Sequence, residues 1–497
     1  MGGLAAAIRL AAAGQAVTLI EAQAYPGGKM RTLPTEAGPV DTGPTVLTMR
    51  SVFDDLFAVA GARLEDHINL IPQPILARHW WRDGSSLDLH TDPEASAAAI
   101  SAFAGPCAET EFRRFNRLSA RLYKAFDAPM LQSPRPRIGA AAVATLLRPD
   151  IWRSLGPRMT LSRQLARSFA DPRLRQLFGR YATYVGGAPD LSPAVLALIW
   201  QAEARGVWAV QGGMHRLAQA LAALAERLGV MLHYGVQATR IERRGDRVTA
   251  VELSDGQVLP AQRVVFNGDP AALLAGLLGN GPQGAIRRSA THPRSLSAHV
   301  WAFAAVPQGL PLLHHNVFFG ADPGQEFASI AQGWMPEEST LYVCAQDRQT
   351  GPPQGPEPGP ERFEIIMNAA ARTTHSPHEA DLCRSRTFDQ LARFGLTFAP
   401  QPPDIALTGP AQFAQLFPGS QGAIYGRSPQ GPWAAFQRPG ARTALRGLYL
   451  AGGGAHPGAG VPMAALSGRH AAETILRDLA LGSKSRLRAM PGGMSMA

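Results

Sequence analysis

Cysteine is scarce in this chain. Cys107, Cys344 and Cys383 lie far apart with no C-x-x-C pair among them, so neither a disulfide framework nor a cysteine-based metal site is expected, and the thiols read as buried and reduced. Long apolar runs are lacking as well. The longest candidate, Ile138 to Leu147, falls short of the ~18 consecutive apolar residues of a spanning helix. The small, apolar start MGGLAAAIRLAAAG has no basic segment ahead of it and is interrupted by Arg9, which excludes a secretory signal peptide. Charged residues are few, 17% against 45% hydrophobic; a disordered chain is excluded, and 497 residues suit two or three globular domains with large cores. No Ser-His-Asp arrangement, paired-carboxylate motif or metal-ligand cluster stands out, so the chemistry is expected to come from a bound cofactor rather than from side chains or a metal.

What is present begins at the first residues. Gly2 and Gly3 open an alanine-rich helix to Ala13, Gly14 stops it, Ala16 to Ile20 reads as a buried strand, and Glu21 stands at the strand's end. This is the latter half of a Gly-x-Gly-x-x-Gly dinucleotide fingerprint, whose glycines permit a tight turn, close approach to pyrophosphate and close helix packing. Glu21 follows Gly3 by 18 residues, near the usual offset of about 20 for the acid that binds a ribose hydroxyl. With Gly3 as the third glycine, the second would lie ahead of Met1; the native reading frame is therefore expected to start upstream, with the first strand of this domain missing from the chain.

Two further segments point the same way. Pro26-Gly27-Gly28-Lys29, Arg31 and the run Gly38 to Thr45, which contains Gly43, Pro44 and Thr45, offer backbone N–H groups and cations to an anion. Near the other end, the apolar strand Gly447 to Ala451 runs into Gly452-Gly453-Gly454-Ala455-His456-Pro457-Gly458-Ala459-Gly460-Val461-Pro462, followed by a helix from about Met463 to Leu481. The N-terminus of such a helix suits the electron-rich parts of a cofactor.

Together these motifs resemble the carotenoid desaturase group of FAD-dependent oxidoreductases, within the amine-oxidase-like flavoproteins, over residues 1 to 480. Asp41 to Met49, Arg180 to Gly187, His314 to Phe319 and His456 to Pro462 are most similar to the 1-hydroxycarotenoid 3,4-desaturases, also called methoxyneurosporene dehydrogenases, of phototrophic bacteria. The resemblance implies an α/β fold: a discontinuous Rossmann-like FAD-binding domain (1–75, 207–290, 436–480), an α+β substrate and membrane-facing domain (76–206, 291–435), and a loose basic tail (481–497). Residues 229–267 read as a β-meander, which the resemblance turns into a return to the FAD domain, with Val236 near the adenine and Asn267 and Asp269 close to the cofactor.

The implied reaction removes a hydride and a proton across C3–C4 of a 1-hydroxy or 1-methoxy carotenoid, FAD taking the hydride and a base or water the proton. His456 is the best single candidate for that base, although a histidine in a glycine turn is more often a structural hydrogen-bonder. Tyr181, Tyr184, Trp200, Trp208, Phe318 and Phe319 are candidates to line a polyene tunnel, with core packing the plain alternative for each. The electron acceptor stays open: oxygen, quinone or another carrier.

Residues 133–180 hold ten arginines against two aspartates, interleaved with Ile138, Trp152, Leu155 and other apolar residues. A basic amphipathic segment of this kind can lie on an anionic leaflet, and similar desaturases are membrane-associated. A cytoplasmic enzyme on the inner face of the membrane is expected, with no nucleic-acid partner because no recognition motif accompanies the charge. Other readings stay open: a phytoene desaturase, isomerase or ketolase; an FAD oxidase acting on amines or porphyrinogens; and a lipid binder without FAD catalysis, as in the Rab GDP-dissociation inhibitors.

Overall fold

The structure, a computed structural model, describes residues 1–136, 159–351, 359–431 and 433–488, with positions 139, 151 and 156. The alanine-rich start forms the helix Gly2–Ala12, stopped by Gly14 at φ +77°. Leu4, Ala5, Ala7 and Ile8 are buried, and the helix packs between His215–Arg227 and Val461–Arg488. Small side chains let the backbones close up: a Cβ on Gly468 would lie 2.2 Å from the carbonyl oxygen of Gly2. Strand Thr18–Glu21 then pairs in parallel with Met231–Tyr234, placing Glu21 opposite Tyr234. A second parallel pair joins Val264–Phe266 to Leu448–Leu450.

The expected meander over 229–267 is therefore corrected. Its first and last strands belong to the two parallel pairs, and the antiparallel piece consists of Ala238–Arg244, Arg247–Leu253 and Val258–Pro260. Turns at Gly245 and Gly256, both at positive φ, close the hairpins as their sequence suggests. The outer two strands are short apolar runs, which periodicity alone assigns neither to a parallel pair nor to a meander.

A second body is built on one mixed sheet. Its strand order is Leu396–Ala399, Ser297–Gly309, Glu361–Ala369, Leu341–Ala345, His315–Phe318, Ile75–Trp80, Ser86–His90. Strands on both sides of the 91–296 interval thus share one sheet. One face packs Trp80, Trp301, Phe303, Phe318 and Phe363 into a core with Phe388 and Phe398. A helical layer including Pro106–Phe126, Leu161–Ser168 and Pro172–Gly179 carries a separate aromatic core of Phe112, Phe115, Phe169, Phe178, Tyr181 and Trp200.

The terminal helix continues to Arg488, beyond both its expected end at Leu481 and the start of the expected tail. Residues 489–497 lie outside the described residues. So does much of the basic segment expected to meet a membrane. Within its described part, Arg180 is buried and Arg173 is paired with Asp171, so fewer arginines face outward than the sequence count implies. Cys107 is exposed, against expectation, while Cys344 and Cys383 are buried. Among the described residues no helix is long and apolar enough to cross a membrane.

Candidate functional site

Three backbone segments distant in sequence meet at the N-terminus of the first helix. A Cβ on Gly2 would lie 2.5 Å from the Gly452 nitrogen and 2.6 Å from Asn267 Oδ1, and one on Gly3 would touch Asn267 at 3.4 Å. The Gly452 N–H donates to Ser467 Oγ at 2.6 Å. Gly452 itself sits at φ +96°, with its Cβ position 2.9 Å from Asn267 Oδ1, so a side chain there is excluded twice over. Gly453 and Gly460 differ: an added Cβ would meet nothing nearer than 3.6 Å and 3.8 Å respectively. Gly460 is held to glycine by its φ of +111°; at Gly453 neither packing nor φ requires glycine, and close approach of a ligand would. They flank the turn that leads into the helix starting at Val461 and Pro462, and Gly454 packs on Pro270.

At the far ends of the first parallel pair, the Glu21 carboxylate accepts from the Gln23 N–H at 3.0 Å and the Glu21 carbonyl accepts from Val236 N–H at 3.2 Å. Glu21 and Val236 thus lie side by side, as a pair of strand ends around one ligand would. Gly27 and Gly28 both have positive φ, and beside Gly28 there is open space.

Lys29 and Arg31 point inward. Lys29 Nζ donates to the Ile424 carbonyl at 2.5 Å and sits 5.3 Å from the Phe417 ring. Burial lowers its pKa to about 8, with Asp269 opposing and Arg294 and Arg438 reinforcing the shift. Asp269 accepts from Arg294 at 2.5 Å and from the Ala271 N–H at 2.9 Å. Three cations around one carboxylate leave a local positive excess suited to an anionic ligand. Arg31 donates to Thr408 Oγ1 at 2.7 Å, tying the Thr32–Leu33 hairpin to the mixed sheet. Asp41 is structural in this arrangement: it accepts from the N–H groups of Met214 at 2.5 Å and His215 at 3.1 Å, capping the helix they begin. A Cβ on Gly43 would collide with the Lys29 carbonyl at 2.1 Å, so the 43–45 segment is pressed on 29–31, with Pro44 between Gly43 and Thr45.

Thr45 reaches the inner face of the sheet. Its hydroxyl lies 2.8 Å from Tyr342 Oη, which lies 2.7 Å from His315 Nδ1. Strand register sets His315, Cys344, Glu364 and Ala302 in one cross-strand row, so their side chains share a face. Glu364 is fully buried, and neither carboxyl oxygen has a hydrogen-bond partner among the described residues. Burial, reinforced by Asp41, raises its pKa well above the carboxylate range, against the opposing Arg31 charge and the Gly43 N–H and Thr45 hydroxyl nearby. Sequence reading missed Glu364 because nothing marks it except an acid inside an apolar strand, RFEIIM.

The same pairing brings His314, His315 and Cys344 together, their donor atoms within 4.8 Å. The sequence was read as having no such cluster; strand pairing, not spacing, creates it. Its chemistry fits a metal poorly. Burial raises the Cys344 thiol pKa and lowers both histidine pKa values, His314 to about 4, and Arg180 adds positive charge near His315.

His456 is placed differently from the expectation of a base. Its Nε2 lies 2.7 Å from the Met130 carbonyl and 3.0 Å from that of Ser133, so Nε2–H is the donor and is occupied. His470 Nε2 donates to the Leu131 carbonyl at 2.9 Å beside it. Both rings hold segment 130–133 against the start of the last helix, and the buried Nδ1 atoms of both His456 and His470 are without a partner among the described residues. Of the six aromatic candidates, Tyr181, Tyr184, Trp200 and Phe319 gather around one core, whereas Trp208 packs beneath the first helix and Phe318 lies on the opposite face of the sheet.

Comparison with known proteins follows this geometry. The profile of the family described as flavin containing amine oxidoreductase matches residues 1–476. The chain is 63% identical to hydroxyneurosporene desaturase of Cereibacter sphaeroides, covering 98% of this chain and 97% of that protein. Identity to the lycopene-forming phytoene desaturase of a Paracoccus species is 30%, covering 96% of each chain. The structure of wild-type putrescine oxidase bound to putrescine superposes with a TM-score of 0.59 at 15% identity, covering 96% of this chain and 97% of that one; at that distance the likeness speaks for the fold.

Proposed function

The chain belongs to the flavin containing amine oxidoreductase family, and from that premise we propose that it is an FAD-dependent carotenoid desaturase, an oxidoreductase acting on CH–CH bonds. Its substrate is a 1-hydroxy or 1-methoxy carotenoid, desaturated at C3–C4. The observation that carries this reading is the 63% identity over nearly the whole chain to a hydroxyneurosporene desaturase, twice the identity to a phytoene desaturase.

The residues present fit the cofactor. Glu21 and Val236 stand at adjacent strand ends for a ribose and adenine; Gly2, Gly3 and Asn267 line the crossing beneath the pyrophosphate; the Gly27-Gly28 turn and the positive charge of Lys29 serve the same anion, Arg31 ties their hairpin to the sheet, and Asp269 fixes the neighbouring arginine. Gly453 and Gly460 leave room for a planar ring over the helix that starts at Val461, and Gly43 and Thr45 close the other side. FAD held there supplies a hydride acceptor. The chain's own work is to position a rigid polyene, exclude water and bind the substrate's polar end. His456 positions: it fastens the flavin-side turn to segment 130–133 and leaves the departing proton to another group or to water.

The polyene is lipid-soluble, so delivery from a membrane surface belongs to the same proposal. Exposed arginines such as Arg163 and Arg167 within segment 133–180 support a peripheral contact with an anionic leaflet. Expression in cells that accumulate 1-hydroxyneurosporene, followed by pigment extraction, tests the assignment. A pigment with one more conjugated double bond is expected; conversion of phytoene in its place would reassign the substrate.

A further inference from the structure

A bond desaturated at C3–C4 lies only a few covalent bonds from the oxygen on C1. When the reacting carbons are held at the cofactor, that hydroxyl is carried into the protein with them and leaves its water behind. An alcohol buried without a partner is costly, so a chamber that accepts it must offer a polar group with unused capacity.

Most polar groups on the inner face of the sheet are already committed. Tyr342 bonds to Thr45 and His315, the His314 Nδ1 to the Ala345 carbonyl, and Gln346 to both backbone groups of Asp41. Glu364 is not: both oxygens are buried and unpartnered among the described residues, where His315 and His79 each leave a single ring nitrogen, Nε2, without a partner, and the side chain is 0% exposed. Its strand is the third of the sheet, flanked on each side by others, so the carboxyl is rigidly placed. Its register partner Ala302 contributes no more than a methyl group beside it. A fully buried carboxyl with no partner lowers stability, and such groups persist where a ligand completes them.

We propose that the Glu364 carboxyl binds the tertiary hydroxyl at C1 of the substrate and so selects hydroxylated carotenoids over hydrocarbon ones. The inference rests on the reading that the reaction is C3–C4 desaturation of a 1-hydroxycarotenoid. Burial holds the acid neutral, and a neutral carboxyl can both donate to and accept from an alcohol. The hydrocarbon analogue would leave it unpaired, the situation in which enzymes discriminate most sharply against a missing hydroxyl, by up to about 10⁴-fold.

The test compares 1-hydroxyneurosporene with 1,2-dihydroneurosporene, which lacks only the hydroxyl, each presented in liposomes to the flavin-loaded protein. The wild type is expected to prefer the alcohol by at least about 100-fold in kcat/KM. Glu364→Leu should hold its flavin but reduce the preference below about 10-fold, while Glu364→Gln, which still hydrogen-bonds, should keep most of it. If flavin-loaded Glu364→Leu retains the wild-type preference, the assignment of Glu364 is overturned. Should Glu364→Leu fail to fold or to hold flavin, difference infrared spectroscopy of the wild type decides: the neutral carboxyl C=O stretch, identified by its absence in Glu364→Gln, should shift with the alcohol and not with the hydrocarbon. No shift overturns the proposal. A wild type that desaturates neither compound at C3–C4 contradicts the functional reading itself, a result distinct from loss of the Glu364 role.

Discussion

The imidazole of His456 lies in the glycine turn ahead of the last helix, and its Nε2 is 2.7 Å from the carbonyl oxygen of Met130. One residue of that glycine turn therefore holds a segment more than three hundred positions away. If this contact is structural, His456→Leu should cost about 1–3 kcal/mol of stability, because two buried carbonyls lose their donor. It should lower kcat without changing the shape of the pH–rate profile. Thermal unfolding and the profile check this together; loss of one limb of the profile would instead mark His456 as a proton-transfer group.

The Gly2–Asn267–Gly452 crossing has no room for a methyl group. Gly2→Ala places a Cβ 2.5 Å from the Gly452 nitrogen, and relieving that contact should cost about 1–3 kcal/mol. Flavin occupancy, read from absorbance near ~450 nm after purification, should fall with it. Gly284→Ala, where an added Cβ meets nothing within 4 Å, should leave occupancy unchanged.

Lys29 gives a pH signature. Burial lowers its pKa in the folded state from 10.5 to about 8, so between those values the unfolded chain binds more protons than the folded one, and stability rises with pH. Below about pH 8 both states are charged and the burial penalty is fully present; above pH 10.5 neither is. Denaturant unfolding of the cofactor-free protein should therefore show a rise in stability across that window relative to Lys29→Met. Parallel curves for the two proteins would contradict the burial of a titrating lysine.

Membrane contact through the basic segment predicts salt-sensitive binding to vesicles. Flotation with anionic liposomes should weaken as ionic strength rises. An Arg163→Gln/Arg167→Gln double variant should bind roughly 30-fold less tightly at low salt, from about 1 kcal/mol per basic residue. Equal binding to neutral and anionic vesicles would argue against an electrostatic surface.

The glycine-rich segments were legible in the sequence because backbone function needs a particular residue type at a particular spacing. Gly2, Gly3, Glu21 and the strand-turn-helix from Leu448 were placed from that alone. What escaped notice depends on register. Glu364 and Cys344 are twenty positions apart in the chain and become neighbours only because strands Leu341–Ala345 and Glu361–Ala369 pair antiparallel; the same pairing assembles His314, His315 and Cys344. The aromatic candidates divided for a related reason: adjacent residues on a strand face opposite ways, so Phe318 and Phe319 enter different cores. His456 was visible as an unusual residue, but its partners at 130–133 could not be inferred from any local pattern.

The account stands or falls on the position of the new double bond. Purified, flavin-loaded protein should be incubated with 1-hydroxyneurosporene in liposomes and an electron acceptor, and the extracted pigment analysed by chromatography and mass spectrometry. The account predicts a product two hydrogens lighter, with its conjugation extended by a C3–C4 double bond and the C1 hydroxyl retained. Recovery of unchanged 1-hydroxyneurosporene, under conditions where the same preparation desaturates phytoene, would contradict it.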